Sequence, residues 1–590
     1  MNLFEDRIHP VTEDSISFPV PEKVPTPWFH TAGDIPTTLH YYNGPMIDTI
    51  ETTAKAYPDT AAYNFFGHKV SFRAFIDQIH EAARALRAQG VGVGDRVTIC
   101  MPNTPQAVIL FYAINRIGAV SNMIHPLSGE EEIVRYINDS HSVMCLTLRQ
   151  FYPKFAKIRS RVEHCRLLVA DIPDGLGGVK KLLYPLIRKD AVALPKDPWI
   201  LLWKDFIRSG KNYKGEYIHH GKGSDTASIL YSGGTTGTTK GILLSNLNFN
   251  ALALQTGTAG NCITPGNTCL SIMPIFHGFG LGVCINTMLY WGITAILVPQ
   301  FDPKSYCKLL AKYKPNYIAG VPTLFEALLR MKDAQDLDMS QLKGIFSGGD
   351  SLSVELKNKV DAFLKAHGST EQVREGYGTT ECVTACCLTP RFTHRDGSIG
   401  IPFPDTYFKI CIPSTQDTAP YGTLGEICIS GPSVMQGYMD HPRETAQTLQ
   451  LHESDGQIWL HTGDLGTMDE DGFIYFKQRL KRMIVTSGYN VYPSQVENVI
   501  DAHESVLMST VIGVKDDYKM QRVKAFVVLK PGIEGTDALR EELLQHCAAR
   551  LPRYALPKDM EFRSDLPKTL VGKVAFTVLE KEEEAKAHKA

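Results

Sequence analysis

The chain has 590 residues, 43% of them hydrophobic and 21% charged, with a formal net charge of −2. That length exceeds one ordinary core and implies at least two domains. The charge balance lacks the basic excess of a nucleic-acid binder, no run approaches the ~18 apolar residues of a membrane span, and the 13 scattered cysteines show no zinc or disulfide spacing.

Residues 1–45 are rich in Pro and His without a clear period and read as a lead-in arm. Acids at Glu5 and Asp6 and the lack of an apolar core predict no signal peptide, so a cytoplasmic location is expected. A regular pattern begins at Met46. Phe72, Phe75, Ile76, Ile79, Ala83 and Leu86 recur at helical spacing, and the glycines from Gly90 to Gly94 end that helix. Arg96 to Met101 reads as a strand stopped by Pro102-Asn103. Thr104 caps the next helix, which carries Val108, Ile109, Tyr112 and Ala113. Strands alternating with helices predict an α/β fold on doubly wound parallel sheets.

From 173 to 222 this pattern is interrupted. Within the interruption Lys180-Lys181 and Arg188-Lys189 bracket an apolar stretch. Residues 180–189 could rest peripherally on an anionic membrane or form the solvated basic edge of a surface insertion.

A strand pattern from Ala227 to Tyr231 then feeds ten residues that are all Gly, Ser, Thr or Lys, before a second apolar run, Ile242 to Leu244. The ten are Ser232, Gly233, Gly234, Thr235, Thr236, Gly237, Thr238, Thr239, Lys240 and Gly241. Glycines let backbone N–H groups converge, and hydroxyls and one ammonium add donors, so the stretch suits a polyphosphate. It is not the common P-loop, because Thr239 and Gly241 flank Lys240 and the hydroxyl after the lysine is missing.

From 384 to 475 short β-like runs with many Gly and Pro predict a small barrel. Gln478 to Lys481 is polar and reads as a hinge. Residues 481–590 read as a compact α+β domain, with strands at Val506–Val514 and Val523–Leu529 and a helix carrying Leu539, Leu543, Leu544 and Leu551.

Chemistry-bearing residues cluster in several further motifs. In Tyr377-Gly378-Thr379-Thr380-Glu381, a Tyr between glycines leaves a ring face open to adenine. Thr380 can donate to a phosphate and Glu381 can hold Mg²⁺. Asp464 lies in the Gly-flanked turn His461-Thr462-Gly463-Asp464, and Arg479 follows 15 positions later. Ser347-Gly348-Gly349-Asp350, Pro274 to Gly280, Ser487-Gly488-Tyr489-Asn490 and Pro567 to Lys573 complete the set.

In this order the motifs resemble those of the adenylate-forming superfamily, which holds acyl-CoA synthetases, firefly luciferase and the adenylation domains of peptide synthetases. The resemblance runs from about Pro45 to Val574 and is nearest to fatty acyl-CoA synthetases. It implies a large AMP-binding domain over 46–480, with the barrel at 384–475, and a mobile domain over 481–590 pivoting at Lys481. It also implies that Asp464 and Arg479 take the ribose, that Gly349 lines the space between adenine and acyl chain, and that the His277 segment floors the carboxylate pocket. Lys573, Lys240, Thr380, Glu381 and His277 are then the catalytic set, and Gly488 passes the thiol arm. Asp350, where the family usually has a small residue followed by Pro, departs from the pattern, as does the tail after Lys573.

The implied reaction joins a carboxylic acid to AMP with loss of pyrophosphate, then passes the acyl group to the thiol of coenzyme A. ATP, Mg²⁺ and CoA are the expected co-substrates and cofactors. The family's acetate enzymes close the pocket with a Trp in the motif that here reads Tyr377 to Glu381 without one, and small residues dominate Gly278 to Gly282, which predicts a deep site for a medium- or long-chain fatty acid. An aryl or other bulky acid is the alternative substrate, and a non-catalytic acyl-nucleotide binder the alternative function. Resemblance to acetylated family sites also makes Lys573 a candidate target of a regulatory lysine acetyltransferase.

Overall fold

The structure, a computed structural model, describes residues 11–178, 181, 192–231, 239–486, 489–516, 520–569 and 574–587. Ser232 to Thr238, Gly488, Lys573 and, apart from Lys181, the basic patch 180–189 lie outside the described residues.

Two sheets dominate. The eight-stranded sheet runs Gly437–Tyr438, Gly241–Ser245, Thr226–Tyr231, Val120–Met123, Arg96–Cys100, Ser142–Leu148, Arg166–Ala170 and Ile200–Leu202. Its last six strands are parallel, and the first two join antiparallel. The nine-stranded sheet has a parallel centre from Val373–Tyr377 through Gly344–Ser347, Tyr317–Gly320, Thr268–Ser271 and Thr294–Leu297 to Ala61–Phe65. Central strands such as Val120–Met123 and Thr294–Leu297 are buried at every position, as strands covered on both faces must be.

The helix Pro105–Arg116 is buried along its whole length, so it packs on all sides. Thr104 caps it by accepting from the Ala107 amide. Just before it, Asn103 donates to the carbonyls of Ser271 (2.9 Å) and Met273 (2.8 Å), tying the end of one sheet's strand to the other sheet. The strand ends that carry the site are thereby held together.

The interruption at 173–222 proves to be only partly an insertion. Ile200–Leu202 extends the eight-stranded sheet, and Trp203–Lys211 packs on the helix Phe72–Ala88. Gly210 permits that contact: a Cβ there would lie 2.7 Å from the Ala85 nitrogen and the Glu81 carbonyl. The three-residue strand was too short to give a period.

The N-terminal stretch is also structured. Ser15–Ile16 pairs with Tyr41–Tyr42, Trp28 is buried, and the Tyr41 hydroxyl donates to Asp405 at 2.7 Å.

Where short runs predict a barrel, five strands form an antiparallel unit around the long strand Gln457–Met468, which pairs with Gly425–Ser430, Leu449–His452 and Ile474–Arg479. Tyr407–Cys411 completes it. The C-terminal sheet contains Ile484–Thr486, Tyr489–Val491, Val506–Asp516, Met520–Leu529 and Asp559–Arg563. It packs with helices Pro493–Asp501 and Asp537–Ala548 around its own apolar cluster. Leu551 falls beyond that second helix, whose pattern overran its end by one turn. Among the described residues no helix is long and apolar enough to cross a membrane.

Candidate active site

Tyr377 ends the strand Val373–Tyr377 of the nine-stranded sheet, and Asp464 lies on Gln457–Met468 of the antiparallel unit. The Tyr377 hydroxyl donates to Asp464 Oδ2 at 2.7 Å. Arg479 is the cross-strand partner of Asp464, with Nε 3.6 Å from Oδ1. The Asp464 side chain is 5% exposed and that of Arg479 47%, so a buried carboxylate meets a cation open to solvent. Burial, then the Asp464 charge, pushes the Tyr377 hydroxyl well above its ordinary pKa and keeps it a donor. The Tyr377 ring lies 6.0 Å from Phe476 and 6.3 Å from Phe408, so aromatic neighbours as well as the hydroxyl fix it.

The Asp464 turn is braced from behind. Glu426 accepts from the Gly463 amide at 2.8 Å through one oxygen and meets His461 Nδ1 at 2.9 Å through the other. Thr462 donates its hydroxyl to the Ile427 carbonyl and accepts from the Asp464 amide. Gly463 has φ +69, the left-handed region that glycine enters without strain.

Thr380 and Glu381 occupy the 3₁₀ turn Thr380–Cys382 just after Tyr377. The chain folds back so tightly that a Cβ on Gly378 would lie 2.1 Å from the Thr384 carbonyl, and Val383 and Thr384 take φ of +53 and +95. Such backbone strain in non-glycine residues is a feature of functional turns. The Tyr438 hydroxyl donates to Glu381 Oε1 at 2.9 Å, and Lys240 Nζ sits 4.9 Å over the Tyr438 ring and 3.9 Å from Glu444. Lys240 immediately precedes the strand Gly241–Ser245, which pairs antiparallel with Thr226–Tyr231. Tyr438 is placed by pairing with Ile242. Lys240 and Glu381, far apart in sequence, are both brought to Tyr438, one over its ring and the other at its hydroxyl.

His277 follows the strand Thr268–Ser271 and accepts from the Phe279 amide at 3.2 Å. Next to it, a Cβ on Gly278 would meet Thr384 Oγ1 at 2.0 Å, so this segment lies against the Glu381 turn. The glycines after it do not open a pocket. A Cβ on Gly280 would lie 2.0 Å from the Pro274 carbonyl and one on Gly282 2.6 Å from Leu252, so both serve close packing of the π-helix Phe279–Thr287. In place of the glycines, Phe279 and Val283 of that helix face a cavity.

That cavity is walled by apolar side chains from several elements. Phe279, Val283, Met288, Tyr317 and Phe346 contribute, with Ser347, Gly348, Gly349 and Gly376 at the border with the Tyr377 cluster. The hydroxyls of Thr256, Ser347 and Thr384, which line it, are buried without a hydrogen-bond partner among the described residues. Gly349 has φ +82, and Asp350 beside it accepts from the Ser351 amide in its own turn. Tyr438, Glu444, Glu426 and Thr256 belong to the site and were missed in the sequence, where each is a lone polar residue without a motif.

A polar rim of carboxylates, hydroxyls and cations beside an apolar cavity, set where two parallel sheets meet an antiparallel unit, defines an enzyme that holds a nucleotide against an apolar substrate. Residues 50–439 match the family model of the AMP-binding enzyme, and residues 495–573 match that of the AMP-binding enzyme C-terminal domain. The chain belongs to the AMP-binding enzyme family. It is similar to a long-chain-fatty-acid–CoA ligase of Bacillus subtilis, 35% identical over 95% of this chain and 99% of the relative. A ligase of the same description from Salmonella typhimurium is 33% identical over 90% of this chain and 93% of its own length. Among solved structures, ATP-bound MatB from Rhodopseudomonas palustris superposes with a TM-score of 0.77 at 26% identity, covering 90% of this chain and 98% of that one. The anthranilate CoA ligase AuaEII, in complex with anthranoyl-AMP, shares the fold with a TM-score of 0.80 at 24% identity, over 94% and 99% of the two chains.

Proposed function

We propose that this chain is an ATP-dependent acyl-CoA synthetase that activates a medium- or long-chain fatty acid as its acyl-adenylate and passes the acyl group to CoA. The observation that carries the reading is the apolar cavity bordering the Tyr377–Asp464–Arg479 cluster.

In this reading Asp464 accepts from the ribose hydroxyls and Arg479 neutralises it from the solvent side. Lys240 and the Ser232–Thr238 stretch hold the departing phosphates, and Thr380 donates to them. Lys573 brings positive charge to the α-phosphate, where negative charge concentrates in the transition state. Glu381 offers hard carboxylate oxygen, the donor Mg²⁺ prefers, and Tyr438 orients it through one oxygen. Bound there, Mg²⁺ would screen phosphate charge. Gly349 and Gly378 keep the backbone close to the nucleotide, and His277 stands at the carboxyl end of the acyl cavity. Ser347 and Thr384 have hydroxyls free to serve that carboxyl group.

The proposed division is an arm over 1–45, an AMP-binding body over 46–480 and a mobile domain over 481–590. That domain would present Lys573 for adenylation and Gly488 for thioester formation, turning at Lys481. Acetylation of Lys573 would remove the charge adenylation needs.

The test is a panel of acetate, benzoate, octanoate, decanoate and palmitate with ATP, Mg²⁺ and CoA, following pyrophosphate release and loss of free thiol. The fatty acids should support both reactions and acetate neither. Turnover restricted to benzoate would replace the substrate with an aryl acid, and no turnover with any acid would leave only a binding role.

A further inference from the structure

A second apolar cavity lies against the first. It is roofed by the N-terminal segment, through Trp28, Phe29, Ala32 and Pro36. Leu388 and Phe403 line both cavities, so these two side chains are the wall between them. The wall is thin. Ala259, Leu388 and Phe403 form a small buried cluster of their own, apart from the main cores, with the partly buried Phe346 and Ala385 packed against it. A side chain with void on two sides forgoes part of the dispersion contact that a core residue makes.

The backbone beneath this wall is held by hydrogen bonds. Phe403 donates its amide to the Cys386 carbonyl at 3.0 Å, and Gln255 donates to the Pro404 carbonyl at 2.6 Å. Leu388 lies in a two-residue strand paired to Gly376 on one side and Ile401 on the other. A rotation of the Phe403 ring about its own side-chain bonds would join the cavities without moving these strands.

We propose that Phe403 and Leu388 form a gate that sets the acyl chain length, and that the cavity under Trp28–Pro36 receives the terminal methylenes of long chains. The occupant is the unbranched hydrocarbon end of the acyl substrate, because the outer cavity continues the acyl cavity and its wall residues are apolar. This rests on the functional reading above, and gives the N-terminal segment a part in specificity.

The experiment measures kcat/KM for octanoate and palmitate in the full-length protein and reads their ratio. Each methylene newly buried is worth about fourfold, so Phe403→Ala should raise the palmitate-to-octanoate ratio by ~10-fold or more. Adding Ala32→Trp, which fills the outer cavity from the roof, should bring the ratio of that variant back toward wild type. Should Phe403→Ala not fold, Phe403→Leu and Leu388→Ala serve in its place, with a smaller rise expected. An unchanged or lowered ratio in a folded, active variant overturns the gate while leaving the synthetase reading intact. A rise that Ala32→Trp fails to reverse also overturns it, because the extra chain then lies elsewhere. If the wild type converts no fatty acid at all, the functional reading fails and the gate with it.

Discussion

The rim and the cavity of this site share the same strand ends and are built by opposite chemistry. At the rim, Tyr377 donates to Asp464 at 2.7 Å, Arg479 pairs its charge with Asp464 at 3.6 Å, and Glu381 is oriented by Tyr438. In the cavity, Phe279, Val283, Met288 and Phe346 contribute area, and no single one fixes the geometry. A nucleotide needs placed charges, and a hydrocarbon chain needs only volume and the exclusion of water. Substitutions at the rim should therefore act steeply and one residue at a time, and substitutions in the cavity gradually and by volume.

The largest effect should come from Lys573→Ala. Acyl-adenylate formation should slow by roughly 10²–10³-fold, the usual cost of removing one oriented charge-stabilising group. Conversion of supplied acyl-adenylate and CoA to thioester should stay near normal. Stopped-flow pyrophosphate release and thiol loss separate the two steps, and equal damage to both would mean that the lysine does not act on the α-phosphate.

Asp464→Ala comes next. Hydrogen bonds to a charged group contribute about 1.5–3 kcal/mol, so the KM for ATP should rise roughly 10- to 150-fold, with the KM for decanoate changed far less. A matching rise in both constants would erase the distinction between rim and cavity.

Glu375 lies between the two regions, one residue before Gly376, which lines the cavity. Burial pushes its carboxyl up to about 8 from an ordinary value of 4.5. Between those values the unfolded chain binds fewer protons than the folded one. Stability from this group is therefore full below 4.5 and falls as pH rises toward 8, by up to ~1.4 kcal/mol per unit. Glu375→Gln should remove that loss, so its melting temperature relative to wild type should climb between pH 5 and pH 8. A constant difference across that range would show that the carboxyl is ionised throughout.

The smallest effect is expected from Tyr438→Phe, which removes one hydrogen bond from Glu381 and keeps the ring beneath Lys240. A loss of about 1 kcal/mol corresponds to roughly a fivefold rise in the Mg²⁺ needed for half-maximal rate. No change in Mg²⁺ dependence would detach Glu381 from the metal.

The same contrast governs what could be read from the sequence. Rim residues announce themselves because glycines and charges at fixed spacing have few other uses: Tyr377 with Gly378, and Asp464 after Gly463. The parallel strands and the Pro105–Arg116 helix were equally legible, since burial on every side leaves long apolar runs. The cavity was not. Thr256, Met288, Phe346 and Phe403 come from distant segments, and each looks like any core residue until the sheets bring them together. Gly278, Gly280 and Gly282 pointed the wrong way, because a small residue can mean open space or close approach, and here it means close approach. Tyr438 was silent for another reason: its place depends on a two-residue edge strand that no periodicity reveals.

The most direct test is equilibrium binding of non-hydrolysable acyl-adenylate analogues, with acyl chains from two to sixteen carbons, measured by calorimetry. The nucleotide is common to the series, so the rim contributes equally throughout and only the cavity varies. Affinity should rise with each methylene by up to ~0.8 kcal/mol, with an increasingly negative heat capacity change, until the cavity is full. Equal affinity for the acetyl and decanoyl analogues would contradict the account, because the cavity beside Tyr377 would then not be the acyl site.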